Sequence, residues 1–151
     1  MKKNYDFDKD LILGKRGEFY ILGQLKKEYS SARIIMGYFK GYDIDVPEVP
    51  LKIECKFDRM SFQTDSIAIE YEYKGEPSGI DATTADTWAL IFYSINLGKW
   101  VWGLINVQPL KDLCKTKGHN VNGEQDRQSK MYLLKTIYFL NNPYIILKEI
   151  E

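Results

Sequence analysis

Cysteine and histidine are scarce in this chain of 151 residues, which has two cysteines and one histidine. Cys55 and Cys114 lie far apart, and neither belongs to a Cys-x-x-Cys pair or a Cys/His cluster, so the spacing argues against a zinc site. The shortage of histidine also disfavours a small-molecule metallohydrolase, because many such sites use histidine ligands. One disulfide is possible by count, but nothing favours secretion, and we expect reduced thiols in an intracellular protein.

An excess of charge of one sign is absent as well, since Lys and Arg number 21 and Asp and Glu also number 21. This balance excludes a strongly basic coat for non-specific nucleic-acid binding. An anionic partner would have to be held by a local patch or through a bound metal ion. No apolar run approaches the roughly 18 residues that a membrane span needs. We therefore expect a cytoplasmic protein with no membrane partner.

What the chain does contain is enough apolar material for one folded domain over residues 1–151: 44% of its residues are hydrophobic and 14% aromatic. Periodicity predicts helices over residues 8–29 and 108–117, a short helical turn over 81–86, and strands over 32–38, 42–46, 51–57, 66–73, 87–95 and 99–106. Residues 119–129 are polar and predict a loop, whereas the apolar segment 131–140 fits strand and helix equally. This order predicts an α/β fold with a mixed central β-sheet flanked by helices.

Charged residues alternate with apolar residues on two neighbouring predicted strands. An antiparallel pairing that sets Asp43 against Glu54 also sets Asp45 against Lys52. Two opposed carboxylates about 4.5–5.5 Å apart repel unless a cation lies between them. Aspartate and glutamate oxygens are ligands that Mg²⁺ and Mn²⁺ prefer, and Lys56 would point at the same place. A solvated polar sheet face explains the alternation equally well.

Glu18 lies where a solvated residue is not expected. It falls on the helical stripe of Leu11, Leu22 and Leu25, and a buried carboxylate without a partner is costly. Two arrangements would satisfy it: a salt bridge to a core-facing cation such as Lys56, or a place in the metal site. Both bring Glu18 close to the strand carboxylates.

These residues, in this order, resemble the PD-(D/E)XK nuclease superfamily. The pattern is a helix with Glu18, a strand with Asp43, and a strand with Glu54-Cys55-Lys56. The segment 64–70, the Ser-Gly-Ile run at 78–80, and Thr84, Ala85-Asp86 and Trp88 more specifically resemble small phage-encoded members similar to Holliday-junction resolvases. The resemblance covers about residues 15–106. Tyr42 stands before Asp43 where proline is usual, and Asp45 is a rival metal ligand.

The resemblance implies a restriction-endonuclease-like core and a Mg²⁺-dependent endodeoxyribonuclease, with Mn²⁺ as a substitute. The implied substrate is DNA, including branched or junction DNA. Asp43 and Glu54 would bind the metal with the Cys55 carbonyl, and with Glu18 through water. Lys56 would orient or deprotonate the attacking water. Host cytoplasm is the expected location for a phage-encoded enzyme. A catalytically silent docking module for nucleic acid or protein, on the same fold, is the alternative.

Candidate phosphate contacts follow the Glu-Cys-Lys strand. They are Arg59, Lys74 and the loop of Ser78 and Gly79, which offers a hydroxyl and main-chain N–H groups. Surface solubility and an ordinary turn explain each of them as well. Cleavage of both strands of a duplex by so small a chain suggests a homodimer. Asp45 is predicted to be the lesser partner, paired with Lys52 or exposed.

Overall fold

The computed structural model describes residues 7–37, 41–123 and 128–151, without the side chains of residues 7–13. Helix α1 (Phe7–Lys26) confirms the first predicted helix, although it ends three residues earlier than expected. Ile21 and Leu25 are buried on its inner face, whereas the expected stripe position of Leu11 lies outside the described side chains. The helix therefore packs through the apolar stripe that the sequence shows in its second half.

Ten strands form two sheets in the described part of the chain. The strands are β1 (Arg33–Ile34), β2 (Ile44–Val46), β3 (Leu51–Asp58), β4 (Ser66–Tyr73), β5 (Glu76–Pro77), β6 (Thr87–Ser94), β7 (Lys99–Asn106), β8 (His119–Asn122), β9 (Ser129–Lys135) and β10 (Lys148–Glu149). The central sheet has the order β1-β2-β3-β6-β7-β10, and the second sheet has the order β5-β4-β9-β8. The central sheet is mixed, because β3 pairs with β6 in parallel and its other neighbours are antiparallel.

Short helices complete the chain: α2 (Ser61–Thr64), α3 (Val107–Lys117) and 3-10 helices at Gly79–Asp81 and Thr136–Phe139. The α/β class with a mixed sheet flanked by helices is confirmed. None of the described helices is both long and apolar enough to cross a membrane.

Three expectations about elements were wrong. The predicted helical turn at 81–86 contains only the last residue, Asp81, of the 3-10 helix Gly79–Asp81. In the predicted strand 32–38, residues 32–37 contain only the two-residue strand β1, and residue 38 lies outside the described part. The predicted loop at 119–129 contains β8 and the first residue of β9, with residues 124–127 not described. Strand β8 is an edge strand with three of its four side chains exposed. Main-chain pairing forms such a strand without the hydrophobic alternation by which a sequence reveals one.

The core is divided between the two faces of the central sheet. One cluster packs α1 on the sheet and includes Ile21 and Ile53. The other joins the central sheet to the second sheet and α3, and includes Phe92, Ile69 and Leu110. Both faces of the central sheet are therefore covered over its apolar part, and β6 is buried along nearly all its length.

Cys114 belongs to the second of these clusters, and neither cysteine forms a disulfide bond. Burial raises the pKa of the Cys114 thiol to about 12. The thiol is therefore neutral at physiological pH and acts as a small apolar side chain.

A buried carboxylate fixes the place where the chain leaves the central sheet. Asp58, at the end of β3, accepts hydrogen bonds from the N–H of Ser61 at 3.1 Å and from the N–H of Ala68 at 2.8 Å. The Ser61 hydroxyl donates to the Asp58 carbonyl at 2.6 Å and accepts from the N–H of Tyr93 at 2.8 Å. These bonds join β3, α2, β4 and β6 at one point.

Substitution Asp58→Ala should lower the free energy of unfolding by roughly 3 kcal/mol, because a hydrogen bond to a charged group contributes about 1.5–3 kcal/mol. Asp58→Asn, which keeps one acceptor oxygen, should lose less. Asp112→Ala, at an exposed position of α3, is the control and should change stability by less than about 0.5 kcal/mol. Urea unfolding measures all three, and equal values for Asp58→Ala and Asp112→Ala would contradict the assignment.

Candidate active site

The pairing of β2 with β3 has the register that the charge pattern predicted. Asp45 lies opposite Lys52, and Ile44 lies opposite Ile53. The paired positions end at Ile44 and Ile53, so the expected pairing of Asp43 with Glu54, one step further along this register, stays a prediction.

The main-chain ladder between β2 and β3 ends at Asp43. Its N–H donates to the Ile53 carbonyl at 2.8 Å, and its carbonyl accepts from the N–H of Ile35 at 2.8 Å. The next N–H of β3 on this side, from Cys55, donates to the carboxylate Oδ2 of Asp43 at 2.8 Å. The Asp43 side chain thus takes the place of a main-chain acceptor. This hydrogen bond holds Asp43, a residue that is only 6% exposed, against β3.

Glu54 and Lys56 project from the face of β3 opposite α1. The residues that alternate with them, including Cys55, pack in the core cluster on the α1 side. In the parallel register with β6, Glu54 lies beside Trp88 and Lys56 lies beside Leu90. Both charged residues are half-buried, so they are neither free surface groups nor part of the apolar core.

Glu18 is buried on α1, as its position in the stripe predicted, with 9% of its surface exposed. The Lys15 ammonium lies 3.3 Å from its carboxylate, one turn earlier on the same helix. Lys56 was the cation expected for Glu18, and Lys15 was not among the candidates. Gly17 lies close against Phe57, since a Cβ there would be 3.2 Å from the Phe57 Cβ, and this lets α1 sit directly on β3. The approach of Glu18 to the strand carboxylates stays a prediction.

Asp45 has a different partner from the predicted one. Its carboxylate lies 3.0 Å from the guanidinium of Arg33, which is opposite it on β1, and the expected ion pair with Lys52 is corrected to this one. The Lys52 ammonium lies instead over the ring of Tyr42, 5.3 Å from its centroid. Asp45 lies opposite Arg33 on β1 and opposite Lys52 on β3. The sequence pattern indicated only the pairing of β2 with β3.

An open cleft of about 180 Å³ lies in front of Glu54. Its walls are formed by Gly41, Glu54, Gly79, Ala82 and Thr83. At roughly 30 Å³ for each molecule, this space holds several waters. The cleft brings together the predicted metal ligand Glu54 and the predicted phosphate contact Gly79, which are 25 residues apart in the sequence.

The Ser78-Gly79 turn is held by Glu70, a residue to which the sequence interpretation gave no role. The Ser78 hydroxyl donates to the Glu70 carboxylate at 3.0 Å. Gly79 has a positive φ of 49°, and a Cβ there would lie 2.1 Å from the Glu70 carbonyl oxygen. Glu70 was visible in the sequence as an acidic residue on a predicted strand, but its contact with the turn was not.

The loop that lines the cleft is held in place by hydrogen bonds of Ala85, Asp86 and Trp88. Asp86 exchanges two hydrogen bonds with the main chain of Lys52, one through its carboxylate and one through its N–H, each of 2.9 Å. The hydroxyl oxygen of Thr83 accepts from the N–H of Ala85 at 3.2 Å and from the indole N–H of Trp88 at 3.3 Å. The loop that carries Thr83 is thereby tied to the starts of β3 and β6, and Thr83 is a second residue that the interpretation missed.

The two basic candidate contacts lie elsewhere on the surface. Arg59 and Lys74 are exposed and do not belong to the lining of the cleft. The Lys74 ammonium lies over the ring of Tyr73, 5.4 Å from its centroid, at the turn between β4 and β5. Of the four predicted nucleic-acid contacts, the structure brings only Gly79 to the cleft wall, with Ser78 next to it.

Among the described side chains, no group of three or more His, Cys, Asp and Glu residues is arranged to hold a metal ion.

Substitution Gly79→Ala should destabilise the protein by roughly 2–4 kcal/mol, because a left-handed conformation costs an L-residue about 1–2 kcal/mol and the clash with the Glu70 carbonyl adds to it. Gly75→Ala is the matched control, since Gly75 has a positive φ of 81° but no atom within 4 Å of an added Cβ. In denaturant unfolding, Gly75→Ala should lose only the free energy that the left-handed conformation costs. An equal loss in the two variants would show that the close approach to Glu70 contributes nothing.

Comparison of the chain with protein-family models gives no match, and a search of curated proteins gives no significant match.

Proposed function

We propose that this protein is a Mg²⁺-dependent endodeoxyribonuclease with a restriction-endonuclease-like core, as in the PD-(D/E)XK superfamily that its sequence resembles. The observation that carries the proposal is the position of Asp43 at the end of the β2–β3 ladder, where its carboxylate accepts from the N–H of Cys55, the residue next to Glu54. Lys56 follows two residues later on the Glu54 face of β3. Of the three residues of the motif, Glu54 lines an open cleft that is large enough for solvent and a phosphate group.

The chemistry of the donor set fits a hard divalent cation. Mg²⁺ is usually held by one or two carboxylates, with waters and substrate phosphate oxygens as its other ligands. Asp43 uses one carboxylate oxygen for the N–H of Cys55, which fixes the orientation of the other, and Glu54 supplies a second carboxylate. Two carboxylates are therefore sufficient, with the Cys55 carbonyl and Glu18 as further proposed ligands. When bound, the cation would neutralise charge on the phosphate and lower the pKa of a ligand water.

Lys56 would act on the nucleophile and on the transition state. Its ammonium carries a positive charge that a divalent cation repels, so it cannot be a metal ligand. Half-buried on the Glu54 face, it can orient the attacking water and stabilise the negative charge that develops on the phosphate. The proposed division of work is metal binding by Asp43 and Glu54 and water positioning by Lys56.

Substrate contacts in this proposal are local, since the chain has no net charge. Gly79 and its neighbour Ser78 lie at the cleft and would contact the scissile phosphate, whereas Arg59 and Lys74 would contact more distant phosphates. Branched or junction DNA is the proposed substrate class. Cleavage of both strands calls for two sites, so we propose a homodimer that works in the cytoplasm.

The direct test incubates the purified protein with supercoiled plasmid, linear duplex, flap and four-way-junction DNA, in Mg²⁺ and in parallel with EDTA. Mg²⁺-dependent cleavage of at least one substrate is expected. Binding without cleavage of any substrate would favour the docking-module alternative, and neither binding nor cleavage would reject both.

Removal of Lys56 should separate turnover from metal binding. Lys56→Ala should lower the cleavage rate by roughly 10²–10⁴-fold, the usual contribution of a positioned proton-transfer group, and should leave Mn²⁺ affinity unchanged or higher. Glu54→Gln should lower Mn²⁺ affinity by about tenfold or more, because it replaces a charged ligand. Calorimetric Mn²⁺ titration beside a plasmid-nicking assay measures both effects. Lys115→Ala, at an exposed position of α3, is the control, and wild-type cleavage by Lys56→Ala would contradict the assignment.

The two aspartates of the β2 region should behave differently. Asp43→Asn should abolish cleavage, whereas Asp45→Asn should cleave at close to the wild-type rate and lose only the ion pair with Arg33, whose side chain is 66% exposed. Such an exposed pair contributes about 0–1 kcal/mol to stability. The same nicking assay, with thermal melting of both variants, decides the matter, and the reverse pattern would assign the metal to Asp45.

A further inference from the structure

The hydroxyl group of Thr83, at the edge of the cleft, accepts two hydrogen bonds from the protein. Its oxygen accepts from the N–H of Ala85 at 3.2 Å and from the indole N–H of Trp88 at 3.3 Å. A threonine hydroxyl has two acceptor lone pairs and one donor hydrogen. Both lone pairs are therefore occupied by groups that can only donate.

The remaining function of this hydroxyl is to donate its hydrogen. Among the described residues, none accepts a hydrogen bond from it. Thr83 is half-exposed and lines the same cleft as Glu54, Gly41 and Gly79. With its lone pairs fixed by the protein, the hydroxyl offers a single oriented donor for whatever enters the cleft.

The position of Thr83 is also rigid. Its main-chain N–H donates to the Gly79 carbonyl at 2.9 Å, which closes the turn that begins at Gly79. Trp88, which holds the hydroxyl, is buried in the core at the start of β6. A donor fixed in this way before its partner arrives loses little conformational entropy on binding.

We propose that Thr83 is a substrate-contacting residue, whose hydroxyl donates a hydrogen bond to a non-bridging oxygen of the DNA phosphate bound in front of Glu54. The inference deepens the proposed nuclease function and rests on it. An anionic oxygen is the partner that a donor-only hydroxyl suits, and the hydrogen bond is of the stronger, charge-assisted kind.

Two substitutions separate the hydroxyl from the side-chain volume. Thr83→Val keeps the shape and removes the hydroxyl, and it should weaken binding of the cleaved DNA by about 10- to 100-fold, the effect of losing one hydrogen bond to a charged group. Thr83→Ser keeps the hydroxyl and should bind and cleave nearly as the wild type does. Affinity is measured with the full chain in Ca²⁺ without turnover, and cleavage kinetics are measured in Mg²⁺.

Trp88→Phe provides the control for a merely structural role. It removes one of the two groups that hold the Thr83 oxygen, and it perturbs the core, but it leaves the hydroxyl in place. Thermal melting reports the stability of each variant. A Trp88→Phe variant that melts lower but loses clearly less DNA affinity than Thr83→Val supports the contact.

The outcomes distinguish this inference from the function on which it rests. Cleavage by the wild type together with wild-type affinity and KM in Thr83→Val overturns the Thr83 contact and keeps the nuclease. DNA binding that depends on the Thr83 hydroxyl without cleavage of any substrate keeps the contact and rejects the nuclease. No DNA binding by the wild type overturns both, and equal losses in Thr83→Val and Trp88→Phe overturn the contact.

Discussion

The buried carboxylate of Asp58 accepts main-chain hydrogen bonds from Ser61 and Ala68, and the position of the second sheet depends on it. By binding Ala68 it holds β4 beside the end of β3, so β4 departs from the central sheet at a fixed point. Glu70 follows two residues later on β4, and its carbonyl and carboxylate hold the turn of Ser78 and Gly79. The turn of Ser78 and Gly79 forms one wall of the cleft in front of Glu54. Its position therefore depends on Asp58, which lies four residues after Glu54 on β3.

Strand β3 has to satisfy two opposing demands. One face, with Ile53, packs in the core under α1, whereas the other face carries Glu54 and Lys56. Charged groups cannot be covered by apolar residues without a large desolvation cost, so the second sheet cannot close over this part of β3. The cleft lined by Glu54, Gly79 and Thr83 is the space that results. Glu54 thus borders an open space although it lies on a core strand.

The sequence alone predicts the parts of the structure that depend on local periodicity. Alternation along residues 42–57 predicted the register of β2 with β3, because a one-residue slip would have buried the charges of Asp45 and Lys52. It was insufficient where contacts join distant segments. The pairing of Arg33 with Asp45, the hydrogen bond between Ser78 and Glu70, and the edge strand β8 leave no periodic signal in the chain. The cleft and the role proposed for Thr83 depend on such contacts, so they could be inferred only from the structure.

In the proposed function, a chain with no net charge would bind a polyanion through short-range contacts in the cleft. A basic surface attracts phosphate through long-range potential, which salt screens within about 10 Å at 0.1 M ionic strength. Lys52 and Lys56 lie two residues before and after Glu54 on β3, and in the proposed site the carboxylates of Asp43 and Glu54 would make the local field unfavourable to an anion until a cation binds. A neutral donor such as the Thr83 hydroxyl would bind a phosphate oxygen without adding to that field. Metal, lysine and hydroxyl would then act on the same phosphate at short range, which makes recognition depend on cleft geometry more than on overall charge.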